Sequence, residues 1–242
     1  MSIQGAEPRH RSQEDHWIPL SDLMSGLMMV FMLVAIVFMI KVQNEAKKVE
    51  AQATVIKNIA VNYSDLREQI YQDLYAEFKS DFQKWDAVLD RQLAIRFAEP
   101  SIQFDSESAI IKPQFAVILN SFFPRYVAIL DSPKYRKAIE EIRIEGHTSS
   151  TWENLSPEQA YYQNMALSQE RARTVLEFAF GIPQVRSHLV WLVPLTTADG
   201  LSSSHRIFSN GREDLSASQR VEFRVRTKAE DRLESILTAL PR

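Results

Sequence analysis

Cysteine is absent from the 242-residue chain, so it can hold no disulfide, thiolate metal site or thiol nucleophile. Glycine is scarce, with six in all, and between Ile40 and Gly146 there is none. No proline occurs between Pro19 and Pro100 either. With neither strong breaker present, residues 41–99 are free to form one long helix. A dominant charge is also missing. The 28 basic and 31 acidic residues leave a net charge of −3, which excludes a general nucleic-acid-binding surface. No P-loop, glycine-rich phosphate turn or metal-ligand set can be assembled, so no cofactor or metal is expected. No nucleophile–base pair emerges either, and the chain does not read as an enzyme.

What is present is a long apolar run. From Leu23 to Ile40 the sequence reads LMSGLMMVFMLVAIVFMI, interrupted only by Ser25 and Gly26. With Trp17–Ser21 added, a helix of this length crosses a hydrocarbon core of about 30 Å. The run is too long for a cleavable signal, and the KVQNEA that follows offers no small-residue cleavage pattern. Trp17 lies where an interfacial aromatic belongs, and Pro19 suits a first helical turn. Arg9 and Arg11 on one side face Lys41, Lys47 and Lys48 on the other, so charge alone leaves the orientation open. Asp22 stands at the entrance of the run. A carboxylate in lipid is costly to keep ionised and must pair, meet protein or water, or bind a proton. The alternative is an interfacial aspartate favoured by the helix N-terminal dipole and open to water. Position alone does not choose between them.

Beyond Ile40, Val42, Val49, Ile56, Tyr63 and Ile70 recur every seven residues, supported by Ala46, Ala53, Ile59, Leu66 and Leu74. Such a stripe reads as a coiled-coil seam joining two or more copies. The alternative is a lone amphipathic helix packed on its own domain. The seam weakens at Asp73 and Glu77, where the helix is expected to leave the coil.

The period then changes. Leu93, Ile95 and Phe97 alternate as in a strand, and Ile102–Phe104 is a second short candidate. Pro113 opens a helical run carrying Phe115, Ile118, Leu119 and Phe122. Ile142–Ile144 reads as a strand entering a turn at Gly146-His147-Thr148. A polar loop, residues 149–163, leads to a helix near Met165–Phe180 closed by Gly181 and Pro183. Leu189–Val193 and Val221–Val225 are the last strand candidates, residues 196–218 read as a long loop, and Asp231–Leu240 as a terminal helix. The order predicts an α/β sandwich of one sheet and two helices.

Three separated blocks carry a resemblance: Ile142-Arg-Ile-Glu-Gly-His-Thr148, Asn164-Met-Ala-Leu-Ser-Gln-Glu-Arg-Ala172 and Gln219-Arg-Val-Glu-Phe223. Together they resemble the OmpA/MotB peptidoglycan-binding domain over roughly residues 93–228. The resemblance implies a βαβαββ fold in which Arg171 grips a carboxylate of the diaminopimelate in the wall peptide, as a planar guanidinium can. Asn164, Leu167, Thr148 and Ser149 would line the same pocket. The family's aspartate after Gly-His-Thr, which takes the ammonium end of the diamino acid, is replaced here by Ser149. Glu153 or Glu158 is the candidate for the missing charge. His147 is expected to be structural rather than catalytic.

The anchor carries a second resemblance. Trp17-Ile-Pro-Leu-Ser-Asp-Leu-Met-Ser-Gly-Leu-Met28 is similar to the spanning helix of MotB-type stator subunits, and its Ser-Asp-Leu-Met-Ser form to the MotB-like subunits of Zorya anti-phage defence systems. The resemblance implies a homodimer within a ring of MotA/ZorA-like multi-span subunits, with Asp22 carrying protons and peptidoglycan as the anchor. It places the chain in a bacterial inner membrane as a single-pass protein. The divisions are then a cytoplasmic tail (1–16), a transmembrane helix (17–40), a helical coiled-coil linker (41–92), the periplasmic OmpA-like domain (93–228) and a C-terminal tail (229–242). A flagellar stator subunit and a passive wall tether without ion flux are the alternatives.

Overall fold

The computed structural model describes residues 17–97 and 100–228. The terminal helix expected at Asp231–Leu240 lies outside the described residues. The chain divides between residues 56 and 57 into two compact units.

Helix α1 runs Trp17–Trp85, as the absence of glycine and proline beyond residue 26 permits. In the first unit its side chains from Ser21 to Val55 are exposed, and one stretch is long and apolar enough to cross a membrane. Val42 and Val49 of the seven-residue stripe are exposed there. In the second unit the stripe changes role: Ile70, Leu74 and, one turn on, Phe78 are fully buried. Past Asp73 and Glu77 the helix continues to Trp85, packed on the domain. Those acids instead fasten α1 to the domain. Asp73 accepts hydrogen bonds from Lys134 (2.8 Å) and Tyr135 (2.7 Å), and Arg125 reaches Glu77 at 2.7 Å and Asp81 at 2.8 Å.

The remaining elements are β1 (Ala87–Leu89), β2 (Ala94–Phe97), α2 (Pro113–Leu130), β3 (Ile139–His147), α3 (Pro157–Gly181), α4 (Leu189–Leu192), β4 (Thr196–Gly200), β5 (Phe208–Ser209), β6 (Arg212–Glu213), α5 (Leu215–Ser218) and β7 (Arg220–Thr227). The main sheet has the order β1-β2-β7-β3-β4, antiparallel except for the parallel pair β3–β4 that α3 connects. A parallel pair needs a crossover of this kind. The path β2-α2-β3-α3-β4-β7 is the expected βαβαββ order, with β1 and the β5–β6 hairpin added.

One face of the sheet buries Ile95, Phe97, Ile142, Ile144, Val221, Phe223 and Val225 against the helices. Phe122 of α2 is the hub, with ring centroids 5.0 Å from Phe223, 5.2 Å from Phe78 and 5.3 Å from Phe97. Each such pair adds about 0.5–1.5 kcal/mol beyond its burial.

Four sequence expectations change. Ile102–Phe104 is no strand: Pro100–Ile102 forms a 3-10 turn, and the Gln103 side chain instead bridges Phe97 O (2.7 Å) and Val221 N (3.1 Å). Leu189–Val193 is helical, because an apolar run this short carries no period; Trp191 and Leu192 go inside while Val190 is 90% exposed. The interval 196–218 holds edge strand β4, a hairpin and a short helix rather than one loop. Gly146 and His147 continue β3 rather than turning, and α3 starts at Pro157, fixed by a capping box between Ser156 and Gln159.

Candidate functional site: the β3–α3 junction

Glycine sets how closely α3 approaches the sheet. A Cβ on Gly146 would lie 2.2 Å from Ser168 O, and one on Gly200 would lie 2.4 Å from Gln169 N. Ser202 N donates to Ser168 Oγ (3.0 Å), while Gln169 donates to Ala198 O (2.9 Å) and accepts from Gly200 N (2.8 Å). The helix is thus pinned to the ends of β3 and β4.

The loop after β3 is fixed from both sides. Thr148 N donates to Ser202 O (2.9 Å), and Asn164 Nδ2 donates to Ser149 O (3.0 Å) and Thr151 O (3.3 Å). Thr148 and Ser149 are buried, and among the described residues Thr148 Oγ1 has no hydrogen-bond partner. Ser150 donates through N (2.9 Å) and Oγ (2.5 Å) to the Glu213 carboxylate, which arrives from β6. Glu153 is exposed, and Glu158 is exposed in the first turn of α3, where it accepts from Tyr162 at 3.4 Å.

Arg171, two turns along α3 from Asn164, is 4% exposed. Its Nε donates to Ser108 O (2.8 Å) and its Nη2 to Asp105 O (3.0 Å), with the guanidinium over the Phe104 ring at 4.8 Å. Among the described residues no carboxylate pairs with it, and burial pulls its pKa down to about 10. It borders a cavity of about 330 Å³ lined also by Gln103, Phe104, Asp105, Ser216 and Gln219. Asn164, Leu167, Thr148 and Ser149 do not line that cavity. Leu167 is buried at 9% exposure.

The helix-free face of the sheet holds a second constellation. Glu145, His147 and Glu222 are buried, with ligand atoms within 4.8 Å of one another, a spacing that would suit a metal ion. The cation position is already taken. Arg224 Nε lies 3.1 Å from Glu145 Oε2 and its Nη2 lies 3.0 Å from Glu222 Oε2, while Arg220 Nε donates to Glu222 Oε1 at 2.6 Å. Burial alone would raise the Glu145 carboxyl, but His147 and the Arg224 guanidinium outweigh it and hold it at about 2. Burial lowers the His147 pKa from its usual value, against the neighbouring carboxylates. The donor set therefore works as an internal ion network and does not fit a metal.

Asp22 is exposed on the lone helix, and among the described residues no ion pair reaches it. One turn on, Ser25 Oγ donates to Ser21 O at 2.8 Å.

No protein-family model matches the chain. The Zorya protein ZorB of Escherichia coli strain Crooks is 43% identical to it over 233 residues, 95% of each chain. The chain belongs to the Zorya ZorB family. Solved structures similar to this ZorB-family chain include a MotB-like protein from Desulfovibrio vulgaris (20% identity, TM-score 0.48, covering 68% of this chain and 96% of that one). The cell wall anchor of the T6SS from Pseudomonas aeruginosa is similar at 18% identity and TM-score 0.42, covering 64% and 97%. The periplasmic domain of Helicobacter pylori MotB is similar at 20% identity and TM-score 0.40, covering 62% and 85%.

Two groups in this ZorB-family chain escaped the sequence reading. The loop from Asp105 to Ser108 receives Arg171 through backbone carbonyls, which no side-chain pattern announces. Glu213 reaches Ser150 across 63 residues from an interval that reads only as loop. The ion network did leave a signal: Arg220, Glu222, Arg224 and Arg226 alternate with apolar residues, marking a strand with one charged face.

Proposed function

We propose that this chain is the wall-anchored subunit of an ion-driven inner-membrane motor acting in anti-phage defence. The observation that carries this reading is 43% identity to ZorB over 95% of both chains, an alignment long enough to take in the anchor as well as the folded domain. In this reading two copies associate along the exposed stripe of α1 inside a ring of MotA/ZorA-like multi-span subunits, with the N-terminus cytoplasmic and the C-terminal domain periplasmic. Asp22 alternates between carboxylate and neutral acid as protons pass, and each change of charge alters which partner contacts are favoured. One charge crossing the membrane supplies about 2.3 kcal/mol per 100 mV.

The C-terminal domain holds the motor to peptidoglycan, since a rotor delivers torque only against a fixed support. Arg171 supports this part of the reading. A guanidinium buried beside a cavity without a carboxylate partner is costly unless an anion completes it. A carboxylate of the wall peptide supplies that anion, bound through the planar fork.

Plaque assays on cells carrying the complete defence system test the motor. Asp22→Asn keeps the shape and removes titration, and protection falls to that of cells lacking the system at unchanged protein level. Retained protection would leave only a tether. Retention on purified sacculi tests the anchor: Arg171→Ala is expected to abolish it.

A further inference from the structure

The helix-free face of the sheet borders a cavity of about 640 Å³. Six arginines line it: Arg67, Arg96, Arg143, Arg220, Arg224 and Arg226. Four acids line it too, Asp90, Glu145, Asp199 and Glu222. Glu141, beyond that lining, holds both Arg143 (2.8 Å) and Arg226 (3.2 Å). Counting it as well, six guanidiniums meet five carboxylates, and the cavity keeps a surplus of positive charge.

Strand register sharpens this. Across the β3–β7 pair Arg143 stands directly opposite Arg224, and Glu145 opposite Glu222. Like charges so placed repel and need an offset. For the two glutamates the offset is internal, since Arg224 reaches both and Arg220 reaches Glu222. Those contacts occupy Arg224, whereas among the described residues Arg143 has only Glu141, which it shares with Arg226. Burial would raise the Glu141, Glu145 and Glu222 carboxyls, yet their hydrogen-bonding and cationic neighbours hold all three below the usual range. His147, opposite Arg220, lines the cavity at 2% exposure. Among the described residues neither of its ring nitrogens has a hydrogen-bond partner, and the nearest carboxylates lie 3.7 and 3.9 Å away. A buried ring N–H left so is costly until an acceptor reaches it.

We infer that this cavity binds a phosphate ester of a polyol, with the phosphoryl group at the Arg143–Arg224 pair and a hydroxyl of the polyol accepting from His147. Guanidiniums suit a phosphoryl group because each offers a planar fork to two oxygens. A phosphate monoester brings about −1.5 to −2 of charge, which answers several arginines better than a carboxylate does. Position 147 lies four residues from Arg143, about 13 Å along β3, so one small anion cannot meet both. The volume agrees, being that of a site for a whole small molecule. A lipid glycerol phosphate and a phosphorylated sugar share this chemistry. The Arg171 cavity is a different one, although Arg220 borders both, and the inference is independent of the wall-binding reading.

The test titrates the full chain in detergent with inorganic phosphate, glycerol 3-phosphate and glucose 6-phosphate, followed by calorimetry. The native chain is expected to bind at least one ester saturably and about tenfold more tightly than inorganic phosphate, the scale of one added hydrogen bond. A preference for glycerol 3-phosphate assigns the site to a lipid headgroup, and one for glucose 6-phosphate to a phosphorylated saccharide. Arg143→Gln should weaken ester binding about tenfold, through loss of a charge-assisted hydrogen bond. Should that variant fail to fold, Arg226→Gln carries the same expectation. His147→Phe keeps a ring but no donor, and should bring the ester down to the affinity of inorganic phosphate. Arg173→Gln, at an arginine 61% exposed on α3, should change nothing. Failure of the native chain to bind either ester overturns the inference whatever the variants do. So does inorganic phosphate that binds as tightly as the esters, or a folded Arg143→Gln chain that binds them as the native one does. Loss of ester binding in Arg171→Ala would put the anion in the other cavity and overturn it equally.

Discussion

The apolar part of α1 and the helix-free face of the sheet treat acidic side chains in opposite ways. Along Ser21–Ile40 there is one carboxylate, Asp22, exposed and without an ion pair among the described residues. On the sheet face Glu145 and Glu222 are buried together, and Arg220 and Arg224 hold them ionised. A carboxylate gripped by arginines cannot readily change its charge, so it serves stability. One that its own chain leaves unpaired takes its electrostatics from whatever surrounds it. The contrast is between a carboxylate left without an ion pair among the described residues and two that the domain fixes with its own arginines.

Removing one cation from the network is the strongest way to break this contrast. Arg224→Met strips the buried Glu145 of its arginine while Arg220 still holds Glu222, and is expected to cost about 3–5 kcal/mol in denaturant unfolding. Gly146→Ala comes next: its Cβ meets Ser168 O at 2.2 Å, so α3 must shift away from β3, at about 2–3 kcal/mol and with loss of the Asn164 contacts. Acid probes the same network without mutation. The Glu145 carboxyl is depressed from 4.5 to about 2, so its contribution is complete above about 4.5 and disappears as the pH falls toward 2. That amounts to roughly 2–3 kcal/mol, visible as a melting temperature that drops across this window and drops less in Glu145→Gln. Smallest of all, Asp22→Asn is expected to leave the domain's melting within about 0.5 kcal/mol of the native chain. The same carboxyl-to-amide change at Glu145 lowers it by several degrees. A destabilised domain in Asp22→Asn would erase the distinction between the two acids.

The sequence made part of this legible. β2, β3 and β7 alternate in period two, and Pro113 and Gly181 punctuate the helices, so the sandwich could be read from local chemistry. Leu189–Val193 could not, because a five-residue apolar run fits a helical turn as well as a strand. The seven-residue stripe was ambiguous for a physical reason: Ile70 and Leu74 keep the seam spacing but are buried in the domain core, whereas Val42 and Val49 are exposed. At the site, the three blocks located α3 and Arg171, but the partners of Arg171 are backbone carbonyls and Glu213 is distant in sequence.

The burial of Ile70, Leu74 and Phe78 bears on how this protein can be divided. A soluble fragment begun at residue 93, where the alternating pattern starts, would leave behind the ring that packs on Phe122 and the acids that hold Arg125 and Lys134. Such a piece would open a furrow of bare aromatic surface along α2 and invite aggregation. Begun near residue 57, it would carry its own plug.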